Sequence, residues 1–157
     1  MENLPISKDR MSGSLYETLY LSKDIAKESY QDFIRTEHLL GGLVNCSGTN
    51  IIKEFLELYG ICKSEISQRI ELAAPSTISF KINCKPDFNP RCKQVLNYAE
   101  NEAEFTNYPK VGTGHLLLGL IREPIGLAGE LLRDTFSLEL NSSRDFVREY
   151  YQLKNEL

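Results

Sequence analysis

The chain lacks the features that would place it in several large function classes. No apolar run approaches the roughly 18 residues needed to cross a bilayer, so no membrane partner is expected. Basic residues are in the minority, 18 Lys and Arg against 22 Asp and Glu, for a formal net charge of −4. Affinity for nucleic acid comes mostly from neutralised phosphates, and no Lys/Arg cluster offsets the deficit, so no nucleic-acid partner is expected. Cysteine is sparse: Cys46, Cys62, Cys84 and Cys92 form no Cys-x-x-Cys pair, and no histidine lies at ligand spacing from them. That argues against a structural zinc site. There is no Gly-x-x-x-x-Gly-Lys-Ser/Thr phosphate loop, hence no claim to a nucleotide. No Ser, Cys or carboxylate stands at a recognisable nucleophile–base spacing around His38 or His115. The expectation is a non-enzymatic protein with no cofactor and no metal. The start, Met1-Glu2-Asn3-Leu4-Pro5, lacks a basic stretch followed by an apolar one, so an export signal is not expected and a reduced, cytoplasmic setting is.

What the chain does have is a repeat. Thr36-Glu37-His38-Leu39-Leu40-Gly41-Gly42-Leu43-Val44 returns as Thr113-Gly114-His115-Leu116-Leu117-Leu118-Gly119-Leu120-Ile121, identical at six of nine positions and offset by 77. At the same offset Ile34 matches Val111, Ala26 matches Ala103 and Leu19 matches Leu96. Self-similarity of this kind outranks local pattern in setting architecture. With 157 residues, 41% of them apolar, the chain is expected to form one domain. It holds one repeat at about 12–73, a linker at about 74–88 and a second repeat at about 89–153. Two units are too few for an open solenoid, so a compact, pseudo-twofold, all-α bundle of about eight helices is expected.

The helical pattern supports this count. Leu15, Leu19, Ser22 and Ala26 recur at spacings of three to four, the period of a helix stripe. Ser14 with Glu17 would make a capping box, and Ser12 is a rival cap. Asn89 followed by Pro90 opens the matching helix, whose stripe is Cys92, Val95, Leu96, Ala99 and Ala103. Cys92 there acts as a small hydrophobe. Thr36 and Thr113 precede short runs so apolar that burial is expected, and each hydroxyl would cap an orphan N–H. Gly42 and Gly119 disfavour the helix and suggest that the two halves approach closely at the backbone. Gly41 against Leu118 suggests looser packing in the first copy. Third helices are expected at about 50–59 and 127–134, with Gly60 as a left-handed terminator, and fourth helices at about 64–73 and 142–154. In the linker, Ile78, Phe80 and Ile82 alternate with polar residues, which fits an extended segment or a stretch draped over the bundle. The run Glu100 to Glu104 reads as a solvated helix face. Tyr16, Tyr20, Tyr30, Phe105, Tyr108, Tyr150 and Tyr151 read as packing residues or as part of a groove for unfolded segments.

The two copies of Thr-x-His-Leu-Leu, the segment Gly119-Leu120-Ile121-Arg122-Glu123 and the second-half start Asn89-Pro90-Arg91 resemble the Clp N-terminal domain of Hsp100 unfoldases of the ClpA, ClpB and ClpC types. The resemblance covers nearly the whole chain. It implies a docking module whose partners are protein adaptors, substrate proteins or Clp subunits, and which is monomeric by itself. A free-standing accessory protein that binds and regulates a Clp ring is the alternative. In ClpC-type domains each half resembles a receptor for phosphorylated arginine, with an acidic residue on the guanidinium and a helix start on the phosphate. Carried over by position, the first site would use Ser12 and Glu37. The second would use Asn89 and Gly114, and lacks the carboxylate. Glu37 also has a purely structural reading, since an acid in a first helical turn favours the dipole wherever it occurs. Thr36, His38, Thr113 and His115 read as a structural helix-start motif. The cleft between the halves is the expected ligand site.

Overall fold

The computed structural model describes residues 3–48, 50–74 and 85–154. The architecture is all-α, with eight α-helices among the described residues: α1 (Gly13–Glu28), α2 (Thr36–Asn45), α3 (Ile51–Leu58), α4 (Lys63–Ala73), α5 (Pro90–Phe105), α6 (Thr113–Arg122), α7 (Leu127–Glu130) and α8 (Leu140–Lys154). Two-residue strands, β1 (Phe33–Ile34) and β2 (Asp87–Phe88), pair in parallel. Most of the linker, including Ile78, Phe80 and Ile82, lies outside the described residues, as does Cys84.

Ser12, not Ser14, caps α1: its Oγ accepts the Leu15 N–H at 3.1 Å. Glu17 instead accepts from the Ser47 hydroxyl at 3.1 Å, so the capping box does not form. Asn89 caps α5 in the same way, its Oδ1 accepting from Cys92 N at 2.8 Å. Both helices also end alike. Tyr30 and Asn107, 77 residues apart, take left-handed φ of 55° and 58°. Beyond them, Gln31 N donates to Ala26 O and Tyr108 N to Ala103 O, each at 2.9 Å, which satisfies carbonyls the helix leaves orphaned. The third helices part company. The first ends at Gly60 with φ 64°. The second, α7, widens into a π-helical turn (Leu131–Thr135) and ends at Ser137, with φ 55°.

The repeated segments form the centre: every residue of α2 from Thr36 to Val44, and of α6 from Thr113 to Ile121, is buried. The glycines in them do not mediate contact between the halves, as the sequence suggested. A Cβ on Gly42 would stand 2.5 Å from Thr18 O on α1, and one on Gly119 would stand 2.6 Å from Val95 O on α5. Each glycine seats its helix on the helix before it, within its own half. Gly41 is not loosely packed either, since Ile25 Cδ1 lies 3.1 Å from where its Cβ would be.

Two short parallel straps tie the backbone of one half to that of the other. Asn89 N donates to Ile34 O at 3.0 Å, continuing the β1–β2 pairing. Met11 bridges Val111, and Ser12 N donates to Val111 O at 2.9 Å. The start of each long helix is therefore tied to the other half.

The run Glu100 to Glu104 is not simply a solvated face. Glu102 is buried and receives Arg144 on both oxygens, at 2.6 and 2.8 Å, with Arg122 at 3.4 Å. Glu100 and Glu104 hold Arg10 at 2.7 and 3.1 Å.

Candidate functional site

The straps determine which predicted site residues meet. Because Asn89 is hydrogen-bonded to the strand that leads into α2, it shares a cleft with Glu37. Because Ser12 is hydrogen-bonded to Val111, it stands beside the start of α6, where Gly114 is. The structure thus groups the four residues crosswise, Glu37 with Asn89 and Gly114 with Ser12. The repeat offset carries no information on this point, since either pairing satisfies it.

The Glu37 cleft has a volume of about 470 Å3. Its lining includes Phe33, Arg35 and Glu37 from one half and Asn89, Arg91 and Gly126 from the other. Glu37, in the first turn of α2, is 6% exposed, and it accepts from the Thr36 hydroxyl at 3.5 Å. Its charge adds to burial in pushing the neighbouring Cys92 thiol far up; that thiol donates to Ile34 O at 3.2 Å. Across the cleft, Arg91 reaches Glu123 at 3.1 Å while staying partly exposed. Glu123 is buried, accepts from the N–H groups of Ile125 and Gly126, and so fixes the start of α7. Arg91 is the second residue of α5, where helix N–H groups face outward and the dipole favours an anion. The cleft therefore presents charge of both signs, Glu37 and Arg35 from one half and Arg91, paired with Glu123, from the other. Arg91 was legible only as part of Asn89-Pro90-Arg91, and nothing local marked it as a cleft residue.

The same neighbourhood on the other side is filled. Gly114 N donates to the Tyr151 hydroxyl at 2.9 Å. A Cβ on Gly114 would meet Ile51 Cδ1 at 2.7 Å, Tyr151 Oη at 2.9 Å and Val147 Cγ1 at 3.0 Å.

The histidines do the capping expected of the threonines. Thr36 and Thr113 are the first helical residues, so the cap positions fall to Arg35 and Gly112. His38 Nδ1 accepts from Arg35 N, and His115 Nδ1 from Gly112 N, each at 3.0 Å. Imidazole here takes the part that Glu or Gln plays in a capping box. The Thr36 hydroxyl instead accepts from Ala128 N at 3.4 Å, joining α2 to α7.

This leaves the proton of neutral His115 on Nε2, which has no hydrogen-bond partner among the described residues. The ring is fully buried, with the rings of Tyr108 and Tyr151 5.6 and 4.9 Å away. Burial pulls its pKa down to about 4, partly offset by Glu102. Burial also lowers His38, against the opposing charge of Glu37. A histidine with a depressed folded pKa stabilises the fold above its unfolded value of ~6.5 and loses that contribution as pH falls toward the folded value. Stability should therefore decline from about pH 6.5 to 4, by at most ~3 kcal/mol from His115. Urea midpoints across that range, with NMR titration of the His115 ring, check this; a ring that titrates near 6.5 contradicts it.

The Clp repeat (R) N-terminal domain family matches residues 10–135. The chaperone protein ClpB of Oceanobacillus iheyensis is 32% identical over 138 residues, which cover 88% of this chain but 17% of that protein. The chain thus spans a small part of such relatives. Among solved structures, the Hsp104 N-terminal domain of Candida albicans matches with a TM-score of 0.71 at 11% identity, covering 94% of this chain and 93% of that one. A ClpV N-domain solved in complex with a VipB peptide matches with a TM-score of 0.68 at 15% identity, covering 98% of this chain and 94% of that one.

Proposed function

The chain belongs to the Clp repeat N-terminal domain family, and from that premise we propose that it is a recognition module that docks adaptors or substrate proteins for a Clp unfoldase or protease. The observation that carries the proposal is the two-signed cleft. Glu37 offers a buried carboxylate with no Lys or Arg at ion-pair distance among the described residues, which matches a guanidinium. Arg91 and the start of α5 lie opposite and match an anion. A phosphorylated arginine side chain carries both groups, a guanidinium and a phosphate, joined to each other. A ClpV N-domain has been solved with a peptide, which supports a protein partner for a fold of this kind. In this reading Glu37, Asn89 and Arg91 serve one site, while Ser12 and Gly114 belong to a counterpart that takes no ligand.

Calorimetric titration with free phosphoarginine tests the site, with arginine and inorganic phosphate as controls. Phosphoarginine should bind more tightly than either control. Glu37→Gln should weaken it by roughly tenfold to a hundredfold, the range for a lost charge-assisted hydrogen bond. Binding unchanged in that variant would sink the assignment. The alternative role, a free-standing accessory protein that regulates a Clp ring, is separated by pull-down. Recovery of assembled Clp rings without substrates favours it, and recovery of substrate proteins favours docking.

A further inference from the structure

The duplicated sequence would be expected to build two equivalent clefts, yet their surroundings differ in one consistent way. Glu37 corresponds to Gly114 at the repeat offset of 77, and α4 and α8 also start 77 residues apart, at Lys63 and Leu140, which sets Ala74 on the rim of the Glu37 cleft against Tyr151. Ala74 is partly exposed, and its methyl leaves the cleft open. Tyr151, three residues before the end of α8, is buried instead. Its hydroxyl takes the Gly114 N–H, a first-turn donor that α6 cannot satisfy by itself. Ile51 and Val147 close the remaining space around Gly114. The two differences are matched: the residue that would carry the carboxylate has lost its side chain, and a phenol fills the volume thereby released.

We propose that Tyr151 is a built-in occupant of the second cleft, so that the domain presents one open ligand site rather than two. The occupancy stands on the packing alone; the count of ligand sites rests on the recognition reading above. The geometry also assigns the closed side its chemistry. The group held there is a phenol hydroxyl that accepts one backbone N–H, where the open side offers charge of both signs.

Two measurements on the full chain test this separately. Titration with phosphoarginine, followed by amide NMR, should saturate at one ligand per chain. Shifts should be confined to the neighbourhood of Glu37, Asn89 and Arg91, with the Gly114 amide unmoved. A second binding event, or a shifted Gly114 amide, overturns the single-site proposal. Independently, Tyr151→Phe keeps the ring and removes the acceptor. Exchange of the Gly114 amide with solvent should then rise by about fivefold, as expected for one lost hydrogen bond, over and above any change at Leu117 or Leu120 in the same helix. An unchanged Gly114 rate overturns the occupancy. If phosphoarginine does not bind at all while Tyr151→Phe accelerates Gly114, the recognition reading fails and the occupancy stands.

Discussion

Gly114→Glu, the substitution that makes the two copies of the repeated motif alike at their one charged position, should destabilise the domain by more than about 3 kcal/mol and should create no second ligand site. Three side chains already stand within 3.0 Å of the position that its Cβ would take. The carboxylate beyond it would enter a region bounded by Ile51, Val147 and the Tyr151 ring, none of which carries a positive charge. Overpacking and an unpaired buried charge then act together. Gly114→Ala separates them, because it adds only the Cβ, and the groups it meets are the ends of side chains that can shift. Its cost should be about 1–2 kcal/mol. Urea denaturation at unchanged m-value gives the comparison. A Glu variant as stable as the parent would mean that α8 lifts readily and that the second cleft is open after all.

The second large effect concerns the glycines that seat the central helices. Gly42→Ala and Gly119→Ala should each cost about 2–3 kcal/mol, although helix propensity by itself favours alanine by ~1 kcal/mol. The opposing contacts are backbone carbonyls, Thr18 O at 2.5 Å and Val95 O at 2.6 Å from the built Cβ. A carbonyl within a helix does not rotate away, so α2 or α6 must move off its partner. Gly41→Ala is the internal control. Its Cβ would meet only Ile25 Cδ1, at 3.1 Å, a methyl that can yield, so that variant should be close to neutral. Thermal unfolding of the three variants side by side distinguishes the two principles. If all three are stabilised, propensity governs and the close seating has no energetic weight.

Much of the fold was legible because it is written in short-range terms. The stripe Leu15, Leu19, Ser22, Ala26 buries as its spacing implies. Pro90 sits in the first turn of α5 behind the Asn89 cap. The family resemblance rested on the same local motifs. The errors came where one local signal competed with another or where the partner lay far along the chain. Ser12 and Ser14 were both plausible caps, and the backbone strap to Val111 placed Ser12 at the cap position. Thr36 and Thr113 look like caps in sequence, but His38 and His115 reach back three residues, to Arg35 N and Gly112 N, and take the role. Glu102 reads as one acid among several on a wet face, and only Arg144, 42 residues later, makes it a buried charge.

The candidate site divides along the same line. Its asymmetry, a carboxylate at 37 and none at 114, was visible by aligning the chain on itself. Its composition was not. The repeat offset relates equivalent positions but does not say which equivalent copies touch, and a pseudo-twofold arrangement admits both answers. The hydrogen bonds Asn89 N to Ile34 O and Ser12 N to Val111 O decide it in favour of the crosswise grouping. They are also why Arg91 and Glu37 line one cleft, and why Tyr151 has the start of α6 to fill.

The sequence by itself determined that this protein is an all-α member of a recognisable family, with a duplicated core and one acidic helix start. Those properties follow from periodicity, caps and self-similarity, which act between residues a few positions apart or by direct comparison. Only the tertiary structure decided that the acidic helix start lines an open cleft shared with the opposite half, and that its counterpart is closed by Tyr151. Those outcomes depend on which surfaces meet when two equivalent units pack, and on whether a single side chain at the contact is a methyl or a phenol.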